Sequence, residues 1–235
     1  ELPQPGPWQL RDIDAPDGAA SASGHGAAAE LPDTLEPGYY RLHTPGEQRT
    51  VLVAPSRCWV PEGLARGERW WGIATQMYSL RSERSWGIGD FTDLARCVAI
   101  AASQGAAFVG VSPLHALRPG EPEAASPYSP GSRVALNTLH IDVTAVPEYL
   151  HCRAAQALVA DPAFQARLQT AQQSPTVDYT AVAALKGAVL PLLWETFEQT
   201  AWAGDAARGK AFDLFCSQHS MTLGPHARFE AIQSV

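Results

Sequence analysis

The stretch from Trp70 to Val143 constrains the fold more than any other part of this chain. It opens with a strand-like run, Trp71 to Leu80, passes through the turn Arg81 to Gly89, and continues as an amphipathic helix from about Phe91 to Gln104. Asp90 stands where an N-cap belongs, and Asp93 three positions on makes a capping box with a shorter acid. Phe91, Leu94, Ala95, Val98 and Ala102 recur at helical spacing and predict the buried face. Gly105 is placed to stop the helix at its C′ position. Phe108 to Leu114 is a short apolar run bounded by glycine and proline, which predicts a strand buried on both faces. Strand, helix and buried strand make a βαβ unit with a parallel pair and a right-handed connection.

The flanking segments read differently. Residues 1–37 begin Pro-rich and pass into Asp17 to Glu30, a small, polar tract without periodicity that predicts a mobile loop or linker. Tyr39 to Thr44 alternates, Pro45-Gly46 is turn chemistry, and Thr50 to Val53 is β-branched. Together they predict a hairpin of a small β-domain with little else to it, for which Trp59 would be the anchor. A lone hairpin is marginal in water and must lean on something. After the loop Arg118 to Arg133, the run Leu136 to Val143 reads as a short extended segment. From Val146 onwards the pattern turns helical. Asp161-Pro162 opens a helix to about Gln173, with the proline at N1. Asp178 caps a longer one, Tyr179 to about Ala201, which Pro191 should kink or split. Lys210 to Gln218 and His226 to Gln233 are two further helical pieces. The expected division is 1–68, 69–145 and 146–235.

Composition removes several function classes. A formal net charge of −7 and the lack of a basic run argue against nucleic acid as a partner. No uninterrupted apolar run approaches a membrane-spanning length, and no secretory signal opens the chain, so no membrane partner is expected. Cys58, Cys97, Cys152 and Cys216 lie far apart without a C-x-x-C pair, which reads as reduced thiols in a cytoplasmic protein. The chain starts at Glu1 without methionine and stops at Val235 inside a helical pattern, compatible with a piece of a longer polypeptide.

Two loops could carry chemistry. Gly87-Ile88-Gly89 lies between a strand and a helix, but Thr92 occupies the position where a dinucleotide fingerprint needs its third glycine. The simpler reading has the glycines shaping the turn and Asp90 capping the helix. His25, His43, His115, His140, His151, His219 and His226 show no metal-ligand spacing, so no metal is expected; His115, after the second strand, reads as structural. The loop Gly120 to Arg133 places Ser126, Tyr128, Ser129 and Arg133 beyond a strand's C-terminal end. Pro127 and Pro130 restrict Tyr128, which suits an aromatic platform. Tyr can cover the C–H face of a pyranose while hydroxyl groups bond its rim. A rigid surface loop whose Tyr packs inward fits the residues equally well.

A resemblance separates those readings. The stretches WGIATQMYSLRSERSWGIGDFTDLA, GAAFVGVSPLHAL, ASPYSPGSR and LNTLHIDV, in that order from Trp71 to Val143, resemble the opening of the catalytic barrel of 4-α-glucanotransferases, the amylomaltase (disproportionating enzyme) family. VDYTAVAALK, Val177 to Lys186, resembles the family's helical insertion. The resemblance implies an α/β fold: the beginning of a (β/α)8 barrel with a helical insertion, preceded by part of a small β-domain. It implies transfer of α-1,4-glucan segments between malto-oligosaccharides with retention, and no cofactor. Retention by a carboxylate pair needs a nucleophile and an acid/base about 5 Å apart. Transfer outruns hydrolysis when a positioned sugar hydroxyl reaches the glycosyl-enzyme before water. No stretch of this chain matches the motifs of the family's catalytic carboxylates, so none is expected here; Asp90 and Asp142 read as a helix cap and a strand-end structural group. Ser126 and Tyr128 match the family's SPY positions at the sugar subsites, and Asn137 is carried over with them. The alternative is a noncatalytic α-glucan-binding or assembly fragment. Two barrel strands alone leave bare edges, so self-association is expected.

Overall fold

The computed structural model describes residues 2, 4–13, 20–118, 120–204 and 207–233. The chain forms two compact units, Glu1–Arg69 and Trp70–Val235.

The first unit is a four-stranded antiparallel sheet in the order β2-β1-β3-β4, from β1 (Gly6–Asp12), β2 (Ala22–Gly26), β3 (Gly38–Thr44) and β4 (Glu47–Val53). The predicted hairpin is β3–β4, closed at Pro45-Gly46, where Gly46 has φ 86°. It leans on β1, and the unit is larger than a hairpin. Alternation puts Trp8 and Leu10 of β1 beside Tyr40 and Leu42 of β3 in one small core. The tract read as a mobile linker contains strand β2; its residues 17–19 lie outside the described residues. The strand escaped notice because it contributes by subtraction. A Cβ at Gly24 would come within 2.7 Å of the Trp8 indole, so the bare glycine is what lets that ring lie flat across β2. Trp8 is therefore the anchor, whereas Trp59, expected in that role, is 81% exposed.

In the second unit β5 (Gly72–Thr75) pairs in parallel with β6 (Phe108–Val111), and α2 (Phe91–Ser103) joins them after the one-turn helix α1 (Glu62–Ala65) has ended the first unit. The predicted capping box is present: Asp90 accepts from the Asp93 N–H at 2.9 Å, and the Asp93 carboxylate accepts from the Asp90 N–H at 3.2 Å. Gly105, at φ 84°, closes a Schellman motif, with Ala106 N–H donating to Ala101 O and Gly105 N–H to Ala102 O.

Two expectations fail here. The first strand ends at Thr75 rather than Leu80, and Met77–Ser79 is a 3-10 turn with Met77 fully buried. Gly89 packs so closely on the Met77 carbonyl that any Cβ would strike it, and a continuing strand would leave no such seat. The anticipated buried faces are also bare: Ala95, Val98 and Ala102 of α2 are exposed, as are Phe108 and Val111 of β6. Periodicity identifies which side chains want a neighbour, and a sheet of two strands supplies few.

A hairpin β7 (His115–Ala116) and β8 (Ser132–Leu136) follows, and then turns of 3-10 helix where an extended segment was expected. The helices are α3 (Arg153–Ala160), α4 (Pro162–Gln173), α5 (Tyr179–Phe197), α6 (Ala207–Gln218) and α7 (Leu223–Gln233). Asp161 caps α4 by accepting from Ala163 and Phe164 N–H, with Pro162 at N1, and Asp178 caps α5 through Ala181 N–H. Pro191 does not split α5, which runs on into a π-helical turn, Glu198–Trp202. The continuous helix Tyr179–Trp202 is long and apolar enough to cross a membrane by length and composition, against the expectation from uninterrupted runs. Here Leu185, Val189 and Leu193 instead enter a core with Phe164, Leu168 and Ala171 of α4. Trp86 and Val143 join the same core, so residues 69–145 and 146–235 share one interior. The four cysteines are free.

Candidate sugar-binding cleft

The C-terminal ends of parallel strands carry the exposed loops of an α/β sheet, and ligands collect there. In this chain Thr75, Gln76 and Ser79 end or follow β5, Val111, Ser112 and Pro113 end or follow β6, and Tyr128 closes the group. They line an open cleft of about 710 Å³. Among the described residues, none that lines it carries a carboxylate; its polar groups are hydroxyls, an amide and backbone.

Tyr128 reaches the cleft from the tip of the β7–β8 loop and is 68% exposed, so its ring is presented rather than packed inward. The loop holds itself. Ser129 N–H donates to Ser126 O at 3.1 Å across the turn, Gly131 N–H donates to Ala116 O at 2.9 Å, and Thr180 of α5 donates to Glu123 at 2.6 Å. Ser126 is exposed within the turn, and its side chain is not among the groups lining the cleft. Asn137 is buried and lies elsewhere. Its Oδ1 accepts from Leu139 N–H at 3.0 Å, capping the 3-10 turn Thr138–His140, and it lines a separate cavity of about 340 Å³ with Lys186 and Leu190. The structure thus joins Tyr128 and Ser126 in one turn and sets Asn137 apart. Sequence reading missed Gln76, Ser79 and Ser112, because their relevance comes only from the parallel pairing of β5 and β6.

The turn after β5, which carries Gln76 and Ser79, leads into a buried charge network. Arg84 donates to Asp90 at 2.8 Å, Asp93 at 2.9 Å and Asp142 at 2.6 Å. Thr92 and Thr144 also donate to Asp142, and Ser82 donates to Asp93. Hydrogen bonding to Asp90 raises the Arg84 pKa further, although burial works against it. Burial pushes Asp142 up, but the bonds from Thr92 and Thr144 and the Arg84 charge outweigh it, leaving Asp142 below its ordinary value. Asp90 is therefore the helix cap its sequence position predicted, whereas Asp142, expected at a strand end, stands between two 3-10 turns and ties them to Arg84 and Thr92. Lys186 of α5 is 1% exposed and donates to Leu139 O and Ile141 O at 2.6 and 2.7 Å, with burial lowering its pKa to about 8. His140 shares a 2.9 Å bond with Gly89 O, and burial lowers its pKa too. This network locks the turn after β5, the start of α2, the 3-10 turn and α5 together.

The family model described as 4-alpha-glucanotransferase matches residues 75–235. The chain belongs to the 4-alpha-glucanotransferase family. The 4-alpha-glucanotransferase of Haemophilus influenzae is 38% identical over 179 residues, covering 74% of this chain and 26% of that protein. Its counterpart in Mycobacterium tuberculosis is 44% identical over 133 residues, covering 52% of this chain and 18% of the relative. Among solved structures, amylomaltase from Corynebacterium glutamicum superposes with a TM-score of 0.60 at 25% identity, over 85% of this chain and 28% of that one. The chain thus spans between 18% and 28% of the length of these relatives, and the α/β character of its second unit agrees with the amylomaltase neighbour.

Proposed function

We propose that this chain is the N-terminal portion of a cytoplasmic 4-α-glucanotransferase that moves α-1,4-glucan segments between malto-oligosaccharides with retention. The observation that carries the reading is Tyr128, held between two prolines over a cleft at the C-terminal ends of two parallel strands. Here β5 and β6 begin a (β/α)8 barrel, and the helices from α3 onward are its insertion. Tyr128 covers a pyranose face, with Ser126 beside it in the same turn, whereas Asn137 caps the 3-10 turn Thr138–His140. The glycosyl-enzyme forms on carboxylates outside this chain, since the cleft is lined by hydroxyls and an amide. Acetal exchange by such carboxylates needs no cofactor.

This chain incubated alone with maltotriose is expected to give neither glucose nor longer oligomers; disproportionation would sink the assignment of the catalytic groups elsewhere. In the complete enzyme, Tyr128→Ala should lower kcat/KM for maltotriose roughly ten- to a hundredfold, combining one aromatic platform and one hydroxyl. A variant as active as its parent would make Tyr128 a packing residue of the loop. The second reading, an assembly or glucan-binding fragment, is favoured by the bare apolar surface of β6 and α2. With both edges of the β5–β6 pair unpaired among the described residues, the isolated chain should sediment as dimers or larger species at micromolar concentration; a monomer would count against exposed edges driving association.

A further inference from the structure

The N-terminal sheet buries one face and leaves the other open. Strands alternate their side chains, and with Trp8, Leu10, Tyr40 and Leu42 inside, Gln9, Arg11, Tyr39 and Arg41 point outward. The β1–β3 register sets Arg11 directly opposite Arg41 and Gln9 opposite His43. Directly paired residues have Cα atoms roughly 4.5–5.5 Å apart, so the two Arg side chains leave the sheet as neighbours. Like charges so placed destabilise a sheet unless something between them offsets the repulsion. Among the described residues, neither guanidinium bonds a carboxylate, and none of the outward positions of β1–β4 is acidic. That is notable in a chain of net charge −7. By contrast Arg49, on the opposite side of β4, is neutralised by Glu47 at 2.6 Å.

We propose that the Arg11–Arg41 pair is an anion site that takes a phosphate group, free or as the monoester of a small sugar. Two planar guanidinium forks side by side match a tetrahedral group that carries nearly two negative charges and three acceptor oxygens. A single carboxylate would leave one cation unmatched. The surroundings suit the ester. Arg11 donates to the Gln9 side-chain oxygen Oε1 at 3.1 Å, which leaves the Gln9 side-chain NH2 as a donor, and Tyr39 stands on the same face with its ring exposed. The site belongs to the first unit and does not depend on the glucan reading of the second.

The test is calorimetric titration of the whole chain at low salt with inorganic phosphate and, separately, with glucose 6-phosphate, alongside thermal melts. Saturable binding of at least one at millimolar concentration is expected, with a rise in Tm. Arg41→Gln and Arg11→Gln should each weaken it roughly tenfold or more, the loss expected for one charge-assisted bidentate contact. Without phosphate, Arg41→Gln should melt no lower than its parent, because repulsion is relieved. Arg49→Gln removes the same charge from the same sheet and should leave binding unchanged. Tighter binding of glucose 6-phosphate identifies a sugar phosphate as the ligand, and equal binding identifies the phosphate group alone. No saturable binding of either compound, or an equal loss in Arg49→Gln, overturns the proposal.

Discussion

Replacing Arg84 with Met should destabilise the Trp70–Val235 unit by about 3–5 kcal/mol at neutral pH, the range for removing one partner from a buried ion pair. The effect is large because a single guanidinium satisfies the carboxylates of Asp90, Asp93 and Asp142, all of them buried or nearly so. After substitution Asp90 and Asp93 keep their reciprocal capping bonds and Asp142 keeps Thr92 and Thr144, so the helix cap survives. What is lost is the compensating charge. The pH dependence separates charge from packing. Asp142 has a folded pKa below its unfolded one, so its contribution is present above the ordinary carboxylate value and disappears as pH falls through the folded value. Without Arg84 that pKa rises, and acid protonates a carboxylate that no longer has a cation. The deficit of the variant should therefore be largest near pH 7 and shrink towards pH 4. Urea unfolding at both pH values measures it. An equal deficit at the two would mean that the guanidinium acts through its shape and hydrogen bonds rather than its charge.

The same residues show what a sequence can reveal about this fold. Local rules sufficed where the determinant is local: Asp90, Asp93, Asp161 and Asp178 cap the helices that their spacing announced, and Gly105 stops α2. The parallel pairing of β5 and β6 also followed, from one amphipathic helix between two apolar runs. Non-local determinants were hidden. Arg84 looks like one more polar turn residue until residue 142 is brought beside it, 58 positions away. Lys186 reads as a solvated helix residue, yet it donates to two carbonyls of a segment 45 and 47 positions earlier. Gly24 marks a strand by leaving room for Trp8, and absence of a side chain has no periodicity. As for the cleft, Tyr128 was visible because prolines advertise a shaped loop, whereas Gln76, Ser79 and Ser112 acquire a common surface only from strand register. Asn137 shows the converse: a residue selected through resemblance has its side-chain oxygen engaged in capping a turn.

Phe164→Ala should be the most damaging single truncation in the helical core, at about 3–5 kcal/mol, the usual range for deleting a buried aromatic side chain. Phe164 has no solvent exposure. Its ring meets Trp86 edge-on, with centroids 5.5 Å apart and planes at 69°, and the Arg167 guanidinium lies 5.5 Å from its centre. The consequence should travel further than α4. Trp86 belongs to the turn after β5, and the Gly87 that follows, at φ 81°, sits so close to Ala171 of α4 that a Cβ would come within 2.9 Å of its carbonyl oxygen. Gln172 of α4 donates to Ser85 O at 2.9 Å in the same turn. Emptying the Phe164 site should therefore loosen the seat of Gly89 on Met77, whose neighbours Gln76 and Ser79 line the Tyr128 cleft. Hydrogen exchange should quicken at amides 85–93 as well as along α4, while amides 38–53 of the N-terminal sheet keep their parental rates, because that sheet has a core of its own. Phe164→Leu retains most of the volume and should show the same pattern at under half the cost. If exchange in Phe164→Ala rises within α4 and leaves residues 85–93 unchanged, Trp86 does not couple the helical core to the turn after β5, and that turn must be held by the Arg84 network alone.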